Sequence, residues 1–466
     1  MKKRSRLRRL LAGVLAGLSL LPAIPQTVRA EEYWPDGMSV KSPSAIVMEV
    51  NTGTILYEKN IHKQYYPASI TKIMTTLLAI ENCDMDEIVT FSADAVYKNE
   101  GDTSHIARDL GEKLTVEQCL YGIMLESANE CAYAIAEHVG QKLGGDYQTF
   151  INLMNTKAKE LGCQDTHFNN CNGLPDDKHY VSAYDMALIS AAAYKNETFR
   201  IITGAASYTI PATNKHEDPY YCHNHHKMIY PWQGDYKYLY DDCTGGKTGF
   251  TKVAGSTLVS FAEKDGMTLV CVILNANSPD HYTDTRELMD YCFENFQALN
   301  ISENEKSIAE DKKHDRGLLN NNNEFVQLDK EAYIIMPKAA KFDDAEFEED
   351  KQNGDGTVAK LTYTYADRVV GGATIETTGA KVEENYFEHK ANHAKQEDHV
   401  IWIRPVYIVL GIFGIVGFIL IIFLIKRLYD NFYLIRHKHE LRKMEKARFK
   451  VNDRKKRYRK KDRLFK

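Results

Sequence analysis

The sequence predicts a protein of the α/β class, α+β type, in which an antiparallel sheet is flanked by helices and carries a helical subdomain. Hairpin signals stand at both ends of the first 300 residues, with helical periodicity between them, which favours an antiparallel over a doubly wound parallel sheet. After Ile301 the composition becomes loop-like and strand-like, which predicts a small β-rich domain. Residues 405–425 are apolar over one bilayer crossing, which predicts one C-terminal transmembrane helix.

Local patterns predict the elements in chain order. Asn51-Thr52-Gly53 and Lys264-Asp265-Gly266 are turn signals between short apolar runs, so each predicts a hairpin. Helical stretches are expected at Ser69–Asn82, Val116–Val139, Tyr147–Leu161, Ala183–Tyr194 and Thr283–Phe296, and strands at Ala45–Tyr57, Gly255–Ala262 and Met267–Asn275. In the β-rich part, strands are expected at Phe325–Ile335, Val358–Tyr365 and Ala373–Thr377, and loops at Asn320–Asn323 and Asp343–Lys351.

These patterns divide the chain into six parts. We expect a signal peptide at 1–30, the main domain at 31–298, a small β-rich domain at 299–382, a polar stalk at 383–404, a transmembrane helix at 405–425 and a basic tail at 426–466. Near the N-terminus, basic residues precede the apolar run Leu10–Ile24, and Val28-Arg29-Ala30 ends with a small residue. This layout is typical of a cleaved secretory signal, although an uncleaved N-terminal membrane anchor is the alternative.

The basic tail determines the expected orientation. Residues 426–466 contain 18 Lys and Arg against 5 acidic residues, so the tail should stay in the cytoplasm and everything before Pro405 should lie outside. That outer part holds about 34 basic and about 59 acidic residues, which would repel polyanions, so no nucleic-acid partner is expected. Two alternatives remain: a buried core helix at 405–425, and nucleic-acid rather than lipid binding by the tail.

Nine cysteines remain after signal cleavage, an odd number for an exported protein. Cys119, Cys131 and Cys271 lie in apolar sequence and are expected to act as small buried hydrophobic residues. A disulfide is possible, with Cys163 and Cys171 the nearest candidates in sequence. No cysteine has the sequence context of a nucleophile.

Three short motifs follow one another in the main domain: Ser-Ile-Thr-Lys at 69–72, Ser-Ala-Asn at 127–129 and Lys-Thr-Gly at 247–249. A serine hydroxyl is a weak nucleophile until a base removes its proton, and lysine can be that base when burial or a second cation lowers its pKa. Helical residues three apart share a face, so the Lys72 amine is expected beside the Ser69 hydroxyl.

The second and third motifs supply further groups for acyl transfer. Ser127 can pass a proton to the leaving amine, and the Asn129 amide can hydrogen-bond a substrate backbone. Lys247 offers a second cation, Thr248 a hydroxyl for a substrate carboxylate, and Gly249 room for close backbone approach. Alone, the second motif also fits a helix cap and the third an exposed hairpin. All three in this order predict a serine acyl-transfer enzyme.

The region Ser42 to Phe296 resembles the D-alanyl-D-alanine carboxypeptidases, which are low-molecular-mass penicillin-binding proteins. The resemblance rests on the three motifs and on Pro67-Ala68-Ser69, Asn172-Gly173-Leu174 and Asp290-Tyr291. It implies a penicillin-recognising, transpeptidase-like fold, a β-rich second domain, a C-terminal membrane attachment and no cofactor.

By this resemblance Ser69 is the acyl-enzyme nucleophile, Lys72 its base, and Ser127 a third catalytic residue. The substrate-binding residues would be Asn129, Lys247, Thr248, Gly249 and Phe250. The backbone N–H groups of Ser69 and Phe250 would form the oxyanion hole.

Some residues depart from this pattern or compete with it. The family often has His or Thr where this chain has Phe250. It also often has an arginine before the last helix, where the nearby cations of this chain are His281 and Arg286.

Four histidines, His216, His223, His225 and His226, crowd into one segment. No ligand spacing there matches a metal site, so no metal is expected.

The expected activity is removal of the terminal D-alanine from peptidoglycan stem pentapeptides, through an acyl-enzyme that β-lactam antibiotics would also form. The expected location is the cell membrane, with one crossing. A β-lactamase is the nearest alternative, but no Glu-x-x-Leu-Asn lies between the second and third motifs. A peptidoglycan endopeptidase, a catalytically silent wall-associated scaffold, and a tail that recruits a cytoplasmic partner are the others.

Overall fold

The computed structural model describes residues 33–35, 37–98, 103–231, 234–304, 324–354, 357–381 and 426. The predicted signal peptide, stalk and transmembrane helix, and the basic tail apart from Lys426, lie outside the described residues. Within the described ranges, no helix has the length and apolar character needed to cross a membrane.

In the described residues, a run of five helices lies between the early strands and a later run of five strands, and the last five elements are all strands. The strands are β1 (Ser44–Glu49), β2 (Ile55–Lys59), β3 (Ile88–Thr90), β4 (Lys113–Thr115), β5 (Ser207–Ile210), β6 (Tyr220–His223), β7 (Cys243–Thr251), β8 (Gly255–Lys264), β9 (Met267–Ala276), β10 (Phe296–Asn300), β11 (Glu324–Leu328), β12 (Tyr333–Pro337), β13 (Glu346–Gly354), β14 (Thr357–Tyr365) and β15 (Arg368–Lys381). The helices are α1 (Lys72–Asn82), α2 (Ala93–Tyr97), α3 (Val116–Leu125), α4 (Asn129–Lys142), α5 (Tyr147–Glu160), α6 (Ala183–Tyr194), α7 (Glu197–Gly204), α8 (Asp280–Asn295) and α9 (Ile301–Asn304).

A five-stranded antiparallel sheet, in the order β2-β1-β9-β8-β7, lies at the centre of the main domain. Both predicted hairpins are confirmed, since β1 pairs with β2 and β8 pairs with β9. Successive residues of β1 face opposite sides: Ile46 belongs to the core cluster on the side of α6, whereas Val47 belongs to the cluster on the side of α8. Because both faces are covered, this strand is apolar along most of its length instead of alternating.

The predicted helix Val116–Val139 is wrong in one respect. It is two helices, α3 and α4, because Ser127 has a φ of 62°, a left-handed conformation that cannot continue a right-handed helix. A capping box at Thr115 and Gln118 starts α3. The break places the second motif between two helix ends.

The β-rich part forms a six-stranded antiparallel sheet, in which β10-β12-β15-β14-β13 is the main order and β11 also pairs with β15. The expected loop at Asp343–Lys351 is wrong, because most of it lies in β13, which pairs with β14 and sets Asp350 opposite Lys360. The expected strand Phe325–Ile335 is two strands, separated by a turn in which Asp329 accepts the backbone N–H of Glu331 at 2.9 Å.

All nine cysteines are free thiols. The considered disulfide between Cys163 and Cys171 is therefore absent. Cys119, Cys131 and Cys271 are fully buried among apolar side chains, as expected.

The buried carboxylate of Glu49 joins the two sheets. One oxygen accepts the backbone N–H groups of Asn51 at 3.0 Å and Thr52 at 2.7 Å. The other accepts the phenol O–H of Tyr333, on β12, at 2.7 Å. A buried carboxylate needs such donors to offset its lost hydration, so the β1–β2 turn and β12 depend on one side chain.

We expect Glu49→Ala to lower the free energy of unfolding by about 2–4 kcal/mol, because it removes the common acceptor of several partly buried donors at once. Tyr333→Phe removes the hydrogen bond donated to Glu49 and the exposed one accepted from the Asn51 side chain, but it leaves the carboxylate and its other donors in place and should cost about 1 kcal/mol. Urea unfolding of the two variants would measure the difference. Equal losses would contradict a central role for the carboxylate.

Candidate active site

Ser69 lies on a short 3-10 turn, Ala68–Thr71, that runs directly into α1. Ala68 has a φ of 51°, a conformation that costs a non-glycine residue free energy and is typical of functional sites. The Thr257 hydroxyl, on β8, donates to the carbonyl of Pro67 at 2.8 Å. The central sheet therefore fixes the turn that carries the serine.

The Lys72 amine lies beside the Ser69 hydroxyl, as the spacing predicted. Lys72 Nζ is 3.1 Å from Ser69 Oγ, 2.7 Å from Asn129 Oδ1 and 2.6 Å from the carbonyl oxygen of Asn172. The side chain is completely buried. The first two motifs thus meet at one nitrogen atom.

Burial lowers the pKa of Lys72 well below its usual range, and the nearby Lys247 cation lowers it further. A neutral amine has two N–H bonds and one lone pair. Asn129 Oδ1 and the Asn172 carbonyl can each accept a hydrogen bond from one of the two N–H groups. The lone pair is then free to accept the proton of the Ser69 hydroxyl.

The carbonyl of Asn172 belongs to a loop that packs closely against the serine turn. Gly173 has a φ of 91°, and a Cβ there would lie 1.9 Å from the carbonyl oxygen of Ala68. The side chain of Asn170 accepts the backbone N–H of Gly173 at 2.7 Å. Glycine is therefore required at position 173 for both conformation and space.

Ser127 occupies the break between α3 and α4. It is 6% exposed, and its Oγ has no hydrogen-bond partner among the described residues. A buried hydroxyl without a hydrogen-bond partner is unusual in a folded protein. The geometry leaves Ser127 available to a bound substrate.

The third motif lies on edge strand β7, against the serine turn. A Cβ at Gly249 would be 2.4 Å from Thr257 Oγ1 and 2.8 Å from the backbone nitrogen of Ser69. Lys247 is buried, and burial lowers its pKa to about 7, opposed by the negative charge of Glu126. Its amine donates to the carbonyl of Thr248 at 3.0 Å. All three motifs therefore converge on one site.

The three residues at which this chain departs from the family pattern, Phe250, His281 and Arg286, lie in different environments. Phe250 follows the third motif and is 68% exposed, so its ring faces solvent at the edge of β7. The guanidinium of Arg286 donates to the carbonyl of Leu239 and lies over the ring of Tyr240. His281 is buried beside Tyr282, with ring centroids 4.2 Å apart.

The four clustered histidines face different partners. His225 Nε2 lies 3.0 Å from a carboxylate oxygen of Glu126, and His226 Nε2 lies 2.9 Å from Ser260 Oγ. His216 lies 3.4 Å from Asp109, and His223 stacks on Tyr230. These rings do not form one set of metal ligands.

A different set of donor atoms lies away from the three motifs. Ligand atoms of Cys83, Glu87 and His138 are within 4.8 Å of one another. The Lys142 ammonium bonds to the Glu87 carboxylate and, with other donors, lowers its pKa to about 2. Glu87 is thus already neutralised by a side-chain cation.

Sequence reasoning missed three contributors to the site. The Asn172 carbonyl is a backbone group and has no sequence signal of its own, although Gly173 beside it indicates close packing. Glu126, which acts on the pKa of Lys247, precedes the second motif directly. His179, whose Nε2 lies 2.9 Å from Thr71 Oγ1 on the serine turn, has no motif around it that points to Lys72.

The chain is similar in sequence to a known family of enzymes. The sequence model of the D-alanyl-D-alanine carboxypeptidase family matches residues 28–278, which is more than half of the chain. The D-alanyl-D-alanine carboxypeptidase DacF of Bacillus subtilis is 31% identical over 310 residues, covering 65% of this chain and 75% of the relative. The D-alanyl-D-alanine carboxypeptidase of a Streptomyces strain is 31% identical over 291 residues, covering 60% and 95%.

Solved structures show the same fold. A Streptomyces DD-transpeptidase crystal structure is 30% identical, with a TM-score of 0.50, and covers 55% of this chain and 97% of its own. The D-alanyl-D-alanine carboxypeptidase DacD from Francisella tularensis has a TM-score of 0.54 at 21% identity, covering 75% and 95%. Given the family match, its sequence relatives and the three converging motifs, this chain belongs to the D-alanyl-D-alanine carboxypeptidase family of penicillin-binding serine hydrolases.

Proposed function

We propose that this protein removes the terminal D-alanine from peptidoglycan stem pentapeptides through an acyl-enzyme on Ser69. The observation that carries the proposal is the fully buried Lys72 amine, 3.1 Å from the Ser69 hydroxyl, with its other neighbours arranged as acceptors. A lysine with a lowered pKa is a suitable general base for a serine nucleophile.

Acylation begins when Lys72 takes the proton of Ser69 and the oxygen attacks the carbonyl carbon between the two D-alanines. The negative charge that develops on the carbonyl oxygen is stabilised by the backbone N–H groups of Ser69 and Phe250. Ser127, whose hydroxyl has no partner among the described residues, passes a proton from Lys72 to the amine of the leaving D-alanine.

The third motif binds the carboxylate at the end of the substrate. Lys247 supplies the positive charge and Thr248 a hydroxyl donor. Asn129 accepts a hydrogen bond from Lys72 through its oxygen, so its amide N–H groups remain for a substrate carbonyl. Gly249 allows the substrate backbone to approach β7. Water then hydrolyses the acyl-enzyme and releases the shortened peptide.

Ser69→Ala should abolish covalent labelling by a fluorescent penicillin, because the strained lactam amide would react with the same hydroxyl. Lys72→Ala should slow acylation by at least about 10²-fold, since the general base is lost. Labelling followed by mass spectrometry of the full chain would measure both. Covalent adduct on the Ser69→Ala protein would disprove the proposed nucleophile.

The same preparation distinguishes the alternatives. Release of D-alanine from a pentapeptide, with slow turnover of penicillin, is the result expected of a carboxypeptidase. Rapid penicillin turnover without D-alanine release would indicate a β-lactamase instead.

The pH dependence of acylation should have two limbs, because the two lysines are needed in opposite protonation states. Lys72 must be neutral, so acylation falls as pH falls through its lowered pKa. Lys247 must be charged to bind a carboxylate, so in the free enzyme binding weakens as pH rises through about 7. Lys247→Arg should remove the alkaline limb, because arginine stays charged throughout this range. An unchanged alkaline limb in Lys247→Arg would exclude Lys247 as its source.

We further propose that the enzyme is anchored in the cell membrane with its catalytic domain outside and its tail in the cytoplasm. The sequence of residues 1–30, the apolar run 405–425 and the basic tail support this arrangement. A substrate in the cell wall requires an enzyme on that side of the membrane. The tail would lie against anionic lipid headgroups.

Deletion of residues 405–466 should move the protein from the membrane fraction to the soluble extracytoplasmic fraction. Deletion of 442–466 alone should leave it in the membrane, because the apolar run is retained. Fractionation with alkaline carbonate washing would test both. Membrane retention after the larger deletion would contradict a C-terminal anchor.

A further inference from the structure

His179 is a completely buried histidine that belongs to none of the three motifs. Its Nδ1 lies 2.9 Å from the backbone nitrogen of Asn169 and 3.3 Å from that of Asn170. Because backbone N–H groups can only donate, Nδ1 is the acceptor and the ring proton is on Nε2. Nε2 lies 2.9 Å from Thr71 Oγ1 and therefore donates to it.

The two sides of the ring lead to the two partners of the catalytic pair. On one side, the Thr71 hydroxyl passes the chain on to the carbonyl of Ala68 at 2.9 Å, within the turn that carries Ser69. On the other side, Asn169 and Asn170 begin the loop whose Asn172 carbonyl accepts from Lys72 at 2.6 Å.

We propose that His179 is a positioning residue that clamps the serine turn to the Asn172 loop and so directs the lone pair of Lys72 at Ser69. This inference rests on the proposed role of Lys72 as the base of Ser69. Without the clamp the Asn172 carbonyl can drift from the amine, and one N–H bond of Lys72 loses its fixed acceptor.

The surroundings of His179 keep its ring in one protonation state. Burial lowers the pKa of His179 to about 3, so the ring is neutral and Nδ1 remains an acceptor across the working range. The charged and titratable groups acting on it are Asp176, His167 and Lys72. Those acting on Lys72 are Lys247, Cys171, Glu130 and Cys131. Lys247 has a pKa of about 7, which lies within the working range.

Two amide substitutions separate the two sides of the ring. His179→Asn can place an oxygen near the Nδ1 position, so it can keep the hydrogen bonds to the Asn169 and Asn170 backbone while losing the one to Thr71. His179→Gln can place an N–H near the Nε2 position, so it can keep the hydrogen bond to Thr71 while losing those to the Asn169 and Asn170 backbone. Thr71→Val removes the hydroxyl at nearly constant shape and tests the serine side independently.

The experiment measures penicillin acylation rates against pH for the full-length chain and these variants. His179→Gln should slow acylation by about 10²-fold, the size expected for a displaced catalytic group. Its acidic limb should move to higher pH, because water entering at the loosened loop raises the pKa of Lys72. His179→Asn and Thr71→Val should slow acylation less and leave the limb in place. Their effects should be less than additive when combined, since both break the hydrogen bond between His179 Nε2 and Thr71 Oγ1.

The control is His62→Asn, an exposed histidine that lies 3.2 Å from Asp165, which should acylate like the unmutated protein. Acylation within about twofold of the unmutated rate in His179→Gln and Thr71→Val would overturn the clamp, because a displaced group costs far more. An unmoved acidic limb in His179→Gln would also overturn it. If the His179 variants do not fold, Thr71→Val decides by the same twofold criterion. Labelling of the unmutated protein tests the proposed function separately, since the clamp concerns only the ratio between variants.

Discussion

The catalytic site depends on keeping one amine neutral in a position that is closed to bulk solvent. Lys72 is fully buried and has three oxygen atoms within hydrogen-bond distance. Removing an ammonium from water is costly, so the protein favours the neutral amine, which is the form able to take a proton. The surrounding fold serves largely to keep that pocket dry and its acceptors fixed. A second buried cation, Lys247, adds to the effect.

The fixed acceptors come from separate parts of the fold, and this explains several local irregularities. Ala68 and Ser127 adopt left-handed backbone conformations, and each irregularity brings one motif to the amine. Gly173 and Gly249 leave out a side chain where two segments touch. Such conformations cost free energy and persist because the packed helices and the central sheet over-determine them. The buried carboxylate of Glu49 has a comparable role at the junction with the second sheet, where one charge organises a turn and a strand.

Much of the fold follows from the sequence because it depends on local patterns. The structure contains elements that local patterns predicted. These include the hairpins at Asn51-Thr52-Gly53 and Asp265-Gly266, predicted from turn residues, and α6, predicted from helical periodicity. The failures came where a distant partner decides the conformation. The acidic residues of β13 form a strand because β14 pairs with them. The helix around Ser127 breaks because Ser127 adopts a left-handed backbone conformation, which cannot continue a right-handed helix.

The sequence by itself determined which side chains carry the chemistry, since two serines, two lysines and an asparagine in three ordered motifs have few other uses together. It also determined the spacing of Ser69 and Lys72, because three residues along one chain segment fix that distance. Only the tertiary structure decided what surrounds them: the Asn172 carbonyl, the Glu126 carboxylate and the ring of His179. The reason is physical, because burial and backbone acceptors arise from segments about 50 to 180 residues away, and no local pattern encodes the lowered pKa that they produce.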